Sequence, residues 1–199
     1  MTRPDEPPAR VAGLLLAAGS GTRYGMPKAL VDTGEGPWVA RTVDALAGCD
    51  PLLVVVGARA DEVIARLPPG VIAVRNEHFA QGMGSSLRAG LQALADGDLD
   101  PRDECDAVLV MLVDLPDVGA PVIGRIRDRA GTGPAARSVL LRAVYHGRPG
   151  HPVLIGRDHW AGVLATASAD EGARRYFQDR PPGPVECGDL ASGRDVDHR

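Results

Sequence analysis

The sequence predicts an α/β fold: a Rossmann-like three-layer sandwich in which helices cover both faces of a mostly parallel central sheet. Three stretches, 11–16, 51–56 and 106–113, are apolar without polar alternation, which is typical of strands buried on both faces. Segments with helical spacing of apolar residues lie between them, and this alternation favours parallel strands joined by right-handed crossovers. The length of 199 residues fits a single domain.

Composition excludes several classes of function. The net charge of −4 and the pI near 5.7 argue against a nucleic-acid surface, and no apolar run approaches the roughly 20 residues of a membrane helix. Three widely separated cysteines, with no Cys-x-x-Cys spacing, indicate neither a disulfide framework nor a zinc site. Residues 1–10 are charged and proline-rich, so we predict a disordered leader before a domain over 11–199. We expect a cytoplasmic protein whose partner is a small molecule.

The first predicted strand runs directly into a loop that carries three glycines and two cations. Glycines allow close backbone approach to a ligand, and successive exposed N–H groups form an anion cradle. An arginine adds a planar fork of donors suited to phosphate, and a lysine adds a compact charge. The loop is therefore interpreted as a phosphate-binding element. Its residues are Gly19, Gly21, Gly25, Arg23 and Lys28.

Two better-known glycine loops fit this stretch less well. A P-loop requires Gly-Lys followed by Ser or Thr, but here Pro27 precedes Lys28 and Ala29 follows it. A dinucleotide-binding loop requires Gly-x-Gly-x-x-Gly, but Tyr24 stands at the third glycine position and Gly25 comes one residue late. The sequence therefore excludes the P-loop and disfavours the dinucleotide fingerprint.

The next elements continue the alternation of helix and strand. Apolar periodicity and glycine stops predict their limits. In order they are a helix over 37–47, the strand over 51–56, a short helix over 60–67 and a strand over 71–74.

A second glycine-containing loop, 75–86, precedes an amphipathic helix. Gly82 and Gly84 allow close backbone approach, while Ser85 or Ser86 can cap the helix. From the residues alone, a purely structural turn and a ligand-facing turn are supported equally.

A carboxylate follows the fourth predicted strand directly. Asp114 stands at the carboxyl end of 106–113, the edge of a parallel sheet where ligands bind, and it is a candidate Mg²⁺ ligand. Asp117 is interpreted as an N-cap of the next helix. The acidic stretch 96–105 does not follow the EF-hand order, so we expect a solvated connection there.

The rest of the chain offers fewer signals. His146 and His159 are expected to be surface or packing residues. The remaining predicted elements are a β-rich run over 137–144, helices over 158–166 and 170–177, and an Asp-Val-Asp at 195–197.

Five segments of the sequence together resemble the MobA-like nucleotidyltransferases. They are Leu-Ala-Ala-Gly-x-Gly-x-Arg-x-Gly-x-Pro-Lys at 16–28, Gln-Gly-Met-Gly-Ser-Ser-Leu at 81–87, Gly-His-Pro-Val at 150–153, Asp-x-Gly-Ala-Arg at 170–174 and Asp-x-Asp at 195–197. The Leu-Ala-Ala-Gly wording is closest to the molybdenum cofactor cytidylyltransferase (MocA-like) branch, although uridylyltransferases share it. Only the start of the family's last element is present.

The resemblance implies a nucleotide-diphospho-sugar transferase-like fold and a reaction. We expect Mg²⁺-dependent transfer of NMP, with CTP favoured over GTP, to a phosphorylated acceptor such as molybdopterin, with release of pyrophosphate; a molybdoenzyme would then be a maturation partner. An anionic acceptor needs positioning and charge neutralisation more than a general base.

The resemblance also implies site residues. Arg23, Lys28 and Asp114 are the expected catalytic residues, and His151 borders the acceptor and would be the first candidate base for an alcohol. The expected metal ligands are Asp114 and, as the second carboxylate, Asp195 or Asp197; the alternative for the last two is a frayed acidic tail. The expected nucleotide-binding residues are Leu16, Ala17, Ala18, Gly19, Gly21, Lys28, Gln81, Gly82, Gly84 and Ser85.

Other functions stay open. The shortened C-terminal element is compatible with a non-catalytic nucleotide- or cofactor-binding partner of the same fold, and the acceptor could be a sugar phosphate or another compound. A NAD-dependent oxidoreductase is disfavoured by the glycine spacing and by Gly57, rather than Asp or Glu, at the end of the second strand.

Overall fold

The computed structural model of the protein describes residues 8–96, 104–168 and 171–197. The predicted alternation of strands and helices is confirmed. The elements are β1 (Val11–Leu16), α1 (Trp38–Ala45), β2 (Leu52–Val56), α2 (Ala60–Ile64), β3 (Ile72–Arg75), α3 (Met83–Ala95), β4 (Ala107–Leu112), α4 (Ala120–Arg127), β5 (Leu140–Tyr145), β6 (Arg148–Gly156), α5 (Arg157–Thr166), α6 (Arg174–Asp179) and β7 (Gly183–Glu186).

The strands form a seven-stranded sheet in the order β3-β2-β1-β4-β6-β5-β7. Pairing is parallel from β3 to β4 and between β5 and β7, whereas β6 is antiparallel to both of its neighbours. The prediction of a mostly parallel sheet is therefore confirmed. The edge strand β7 was not predicted, because four residues that begin with Gly-Pro carry almost no periodic signal.

Helices cover both faces of the sheet, as the fully apolar strands require. One core cluster joins Leu15 and Val54 to α1 and α4, and the other joins Leu14 and Val55 to α3 and α5. Successive residues of one strand thus enter opposite cores, because side chains alternate across a strand. The three-layer architecture is confirmed.

The predicted limit of the N-terminal leader needs correction. Residues 8–10 already contact the rest of the fold. Pro8 forms a β-bridge with Thr132, and the Arg10 N–H donates to the Asp106 carboxylate at 3.0 Å. The domain therefore begins by residue 8, and the rest of the predicted leader, 1–7, lies outside the described residues. Likewise, 97–103 of the acidic stretch and Asp170 lie outside them.

The predicted helix caps are wrong. Gly82 precedes α3 with φ of +99°, so Ser85 and Ser86 fall inside the first turn of the helix. Gly119 precedes α4, and Asp117 instead accepts hydrogen bonds from Ser192. Within the described ranges, no helix has the length and apolarity needed to cross a membrane.

Candidate active site

The first glycine loop and Asp114 meet at one edge of the sheet because β1 and β4 are parallel neighbours. Leu16 pairs with Leu112 in register, so the residues that follow both strands emerge side by side. They border a cleft of about 540 Å³. Its lining comprises Leu16, Ala18, Gly19, Ser20, Gly21, Thr22, Arg23, Tyr24, Lys28, Phe79, Ala80, Gly82, Met83, Ser86, Leu112, Val113, Asp114 and Asp197.

Two glycines of the first loop have different tasks. Gly21 has φ of +62°, and a Cβ there would lie 1.9 Å from the Met26 carbonyl oxygen, so only glycine fits this turn. The Gly21 carbonyl in turn accepts the N–H groups of Tyr24 and Gly25 at 2.9 and 2.8 Å. At Gly19 a Cβ would meet nothing within 4 Å. Gly21 therefore shapes the loop, whereas Gly19 leaves the backbone open to the cleft.

Lys28 forms salt bridges with two carboxylates that line the cleft. Its ammonium lies 3.0 Å from Asp114 Oδ2 and 2.7 Å from Asp197 Oδ1. Burial alone lowers the pKa of Lys28, but the hydrogen bonds and charges of Asp197 and Asp114 outweigh it, and the net pKa lies above the usual 10.5. Lys28 is therefore fully charged at neutral pH.

The C-terminal segment reaches this site through a series of contacts. The Val196 N–H donates to the Asp114 carbonyl at 3.0 Å, and Ser192 donates through its N–H and hydroxyl to Asp117 at 2.7 and 2.6 Å. Asp197 is thereby placed beside Lys28. Asp195, predicted as an alternative metal ligand, is exposed and does not line the cleft.

The two carboxylates fit a hard divalent cation. Asp114 Oδ1 is buried and has no hydrogen-bond partner among the residues that the structure describes, while Oδ2 contacts Lys28. A buried carboxylate oxygen without a hydrogen bond lowers the stability of the fold unless a cation or a hydrogen-bond donor binds to it. Among the described residues no group of three or more His, Cys, Asp or Glu could form a metal site, but Mg²⁺ typically uses one or two carboxylates plus substrate phosphates.

Arg23 completes the cationic side of the cleft. Its side chain is exposed at the cleft and forms no salt bridge to a carboxylate in the described part of the chain. A planar guanidinium in this position is available to phosphate oxygens.

The second glycine turn is held by a buried residue that sequence reasoning did not single out. Asn76 is 5% exposed, and its amide donates to Ser85 Oγ at 2.9 Å and to Ser86 Oγ at 3.1 Å. Its carbonyl oxygen accepts the His78 N–H at 3.0 Å. Asn76 therefore fixes the start of α3, which presents Gly82 to the cleft. An Asn directly after a short strand gave too weak a signal to be recognised.

The structure brings six of the predicted nucleotide-binding residues to the cleft. These are Leu16, Ala18, Gly19, Gly21, Lys28 and Gly82. Ala17 is buried in the core, and Gly84 is buried in the first turn of α3. Gln81 and Ser85 line a separate depression of about 300 Å³ with Asn76 and Arg88. Sequence reasoning missed Phe79 and Met83, which have no distinctive pattern, and considered Ser86 only as a helix cap.

His151 lies beyond the cleft, on β6. His151 stands two residues before Val153, which pairs with Val110 of β4. The His151 carbonyl oxygen accepts a hydrogen bond from the Tyr145 hydroxyl at 2.6 Å. Burial, and then the nearby Arg142 charge, lower the pKa of His151 to about 4. The imidazole is therefore neutral at pH 7 and a weak base.

Comparison with known sequences places this cleft in a family. Residues 13–184 match the MobA-like NTP transferase domain. Nicotine blue oxidoreductase from Paenarthrobacter nicotinovorans is 36% identical over 201 residues, which cover 94% of this chain and 92% of the relative. A 2-C-methyl-D-erythritol 4-phosphate cytidylyltransferase from Corynebacterium diphtheriae is 36% identical over 100 residues, which cover 45% of this chain and 41% of that protein.

Solved structures are similar over nearly the whole chain. Rv0371c from Mycobacterium tuberculosis H37Rv has a TM-score of 0.75 at 26% identity, with 96% of this chain and 95% of that chain covered. Its crystal structure in complex with manganese has a TM-score of 0.69 at 25% identity, with 94% of each chain covered. Because the family match includes the glycine loop, the turn before α3 and Asp114, this chain belongs to the MobA-like NTP transferase family.

Proposed function

We propose that the protein transfers NMP from an NTP to a phosphorylated small-molecule acceptor and releases pyrophosphate. An oxygen of the acceptor phosphate attacks the α-phosphorus, the bond between the α-phosphorus and its bridging oxygen breaks, and pyrophosphate departs. The observation that carries the proposal is the Lys28 ammonium between Asp114 and Asp197, in a cleft that the glycine loop also lines.

The residues of the cleft divide this work between them. Backbone N–H groups of 19–22 cradle phosphate oxygens, and Arg23 stabilises the negative charge that develops on the leaving pyrophosphate. Lys28 neutralises charge from the opposite side of the cleft. Since the acceptor phosphate is already ionised at neutral pH, no general base is required.

Asp114 and Asp197 are the proposed ligands of Mg²⁺. The buried Asp114 Oδ1, which has no protein partner, supports this assignment. When bound, Mg²⁺ supplies charge neutralisation and orientation of the nucleotide phosphate oxygens. The two carboxylates hold Lys28 close to the same phosphates.

CTP is the proposed nucleotide, and molybdopterin is the proposed acceptor. Ala18 and Gly82, two small residues that line the cleft, would leave discrimination between bases to backbone hydrogen bonds, which reject a base that leaves them unpaired. The partial match to a cytidylyltransferase supports CTP, and the MocA-like wording of the glycine loop supports molybdopterin. A molybdoenzyme as maturation partner, a cytoplasmic location and Mg²⁺ as the metal ion stay predictions.

A thermal-shift titration of CTP and GTP with Mg²⁺ tests the nucleotide assignment. A ligand at 100 times its dissociation constant adds about 2.7 kcal/mol to the free energy of unfolding. CTP is expected to stabilise the protein more than GTP at equal concentration, and pyrophosphate should then be released from CTP when molybdopterin is added. Equal or tighter binding of GTP would overturn the base preference. Tight binding without pyrophosphate release would support a non-catalytic binding partner.

An oxidoreductase is the second candidate, because nicotine blue oxidoreductase is similar over nearly its whole length. The glycine spacing and Gly57 at the end of β2 argue against a nicotinamide site. Loss of NADH or NADPH absorbance upon addition of nicotine blue, at a rate that depends on the protein, would favour this candidate. No loss of absorbance, together with CTP binding, is the expected result.

A further inference from the structure

The guanidinium of Arg142 on β5 is half-buried, and within the described ranges it has no ion-pair partner. Its Nε is buried and makes no hydrogen bond, and the side chain forms no ion pair with any residue that the structure describes. The guanidinium lies over the Phe177 ring, whose centroid is 5.0 Å from the guanidinium carbon. A guanidinium cannot lose its charge in a protein, so burial without a counter-ion is unfavourable.

A second cation lies next to it. Arg174 stands three residues before Phe177 on α6, and residues at this spacing share one face of a helix. Burial and the charge of Arg174 both lower the pKa of Arg142, as expected for neighbouring like charges without a carboxylate between them. The neutral His151 imidazole lies close enough to feel the Arg142 charge. We call the group formed by Arg142, Arg174 and His151 the β5–α6 basic cluster.

The β5–α6 basic cluster adjoins the nucleotide cleft. Arg142 pairs with Val153, which pairs with Val110 of β4, so β5 lies two strand spacings, about 10 Å, from β4. On the side of the cleft, Met83 lines the wall, and a Cβ on Gly172, just before α6, would lie 3.7 Å from the Met83 sulfur. A ligand could therefore span from the cleft to the cluster.

We propose that the β5–α6 basic cluster binds a phosphate group of the acceptor substrate, with Arg142 and Arg174 as forked donors and His151 as a neutral hydrogen-bonding partner. Two guanidinium groups match a dianionic phosphate better than a singly charged carboxylate. The inference rests on the proposed function for the identity of the substrate, but the anion site itself does not. It assigns the acceptor to the half of the sheet formed by β6, β5 and β7.

Isothermal titration with inorganic phosphate and acetate, in the absence of nucleotide, tests the site. We expect Arg142→Met to weaken phosphate binding about tenfold or more, since a charged hydrogen bond is lost while an unbranched apolar side chain is kept at this position. Arg174→Met should act in the same direction, and its exposed side chain makes unfolding no concern. The matched control is Arg180→Met, because Arg180 also stacks on an aromatic ring of α6, Tyr176, at 5.3 Å, but it lies outside the cluster.

A parallel titration separates this proposal from the proposed function. Arg23→Ala should weaken phosphate binding in the nucleotide cleft, so titration of that variant with and without Arg142→Met separates the contribution of the cluster from that of the cleft. If CTP does not bind but Arg142→Met still weakens phosphate binding, the proposed function fails and the anion site stands. If CTP binds and Arg142→Met binds phosphate like the unchanged protein, the anion site is wrong. Acetate binding as tight as phosphate would overturn the assignment to a phosphate group.

Discussion

The two halves of the sheet manage their charges in opposite ways. In the parallel half, β1 and β4 bring Lys28 between two carboxylates, so the cation is satisfied before any substrate arrives. In the other half, Arg142 is half-buried with no ion pair in the described part of the chain. A paired network can exchange a partner when a metal and a triphosphate bind, whereas an unpaired cation gains its partner only from a ligand. This difference is what we expect if the two halves bind different substrates, as proposed above.

The largest effect is expected for Asp114→Asn, which removes one of the two carboxylate charges that flank Lys28. The amide keeps the size of the side chain but is a poor ligand for a hard cation, so metal-dependent transfer should fall by at least about 10³-fold. Pyrophosphate release under saturating CTP measures this loss. Asp128→Asn, an exposed carboxylate at the opposite end of the sheet, is the control. Normal turnover of a folded Asp114→Asn protein would remove Asp114 from the reaction.

A smaller loss, about 10²-fold in the rate of transfer, is expected for Arg23→Ala. The residue forms no salt bridge to a described carboxylate, so its removal should not change the midpoint of thermal unfolding. Arg66→Ala, an exposed arginine outside the cleft, provides the comparison. A change in stability without a change in rate would indicate a structural role.

Asn76→Ala is expected to loosen the parallel half without changing its charges. Three hydrogen bonds of a buried amide are lost, which should reduce the free energy of unfolding by about 1–3 kcal/mol. Because the turn that carries Gly82 is held by this amide, KM for the nucleotide should also rise, by about tenfold. Chemical denaturation and steady-state kinetics measure the two effects. Gln92→Ala, an exposed amide on α3, should change neither. An unchanged KM would restrict Asn76 to stability.

The smallest effect concerns the other half of the sheet and depends on pH. The pKa of His151 is lowered from 6.5 to about 4, so the unfolded chain binds the proton more tightly than the folded protein does. Stability attributable to this histidine is complete above pH 6.5 and decreases, by on the order of 1–3 kcal/mol, as the pH falls to about 4. His151→Gln should reduce the loss of stability over this window. Identical pH profiles for both proteins would contradict the lowered pKa.

The parallel half could be predicted well from the sequence. Fully apolar strands such as Val11–Leu16 can be buried only in a covered sheet, and residues after parallel strands must meet at one edge, so Lys28 and Asp114 were placed together correctly. The helix caps, by contrast, were not predicted correctly. Several polar residues near each helix start could have served as the cap, but the helices begin after Gly82 and Gly119.

The other half was harder to predict. Its register shifts between Arg142 and Val144, and β7 is too short for a periodic signal. The partners of Asp117 and Asp197 lie more than 70 residues away, at 75 and 169 positions along the chain. No local pattern could distinguish Asp197 from Asp195, because the choice depends on where the Val196 N–H binds the loop after β4.

That choice offers the most direct test of the claim that Asp114 and Asp197 form the metal–nucleotide site. Asp195 and Asp197 are chemically identical neighbours, yet only Asp197 contacts Lys28, at 2.7 Å. The measurement is the dissociation constant of CTP in excess Mg²⁺, by isothermal titration, for Asp197→Asn and Asp195→Asn. We expect CTP binding to be weakened about tenfold for Asp197→Asn and unchanged for Asp195→Asn. Equal affinities for the two variants, or a loss confined to Asp195→Asn, would contradict it.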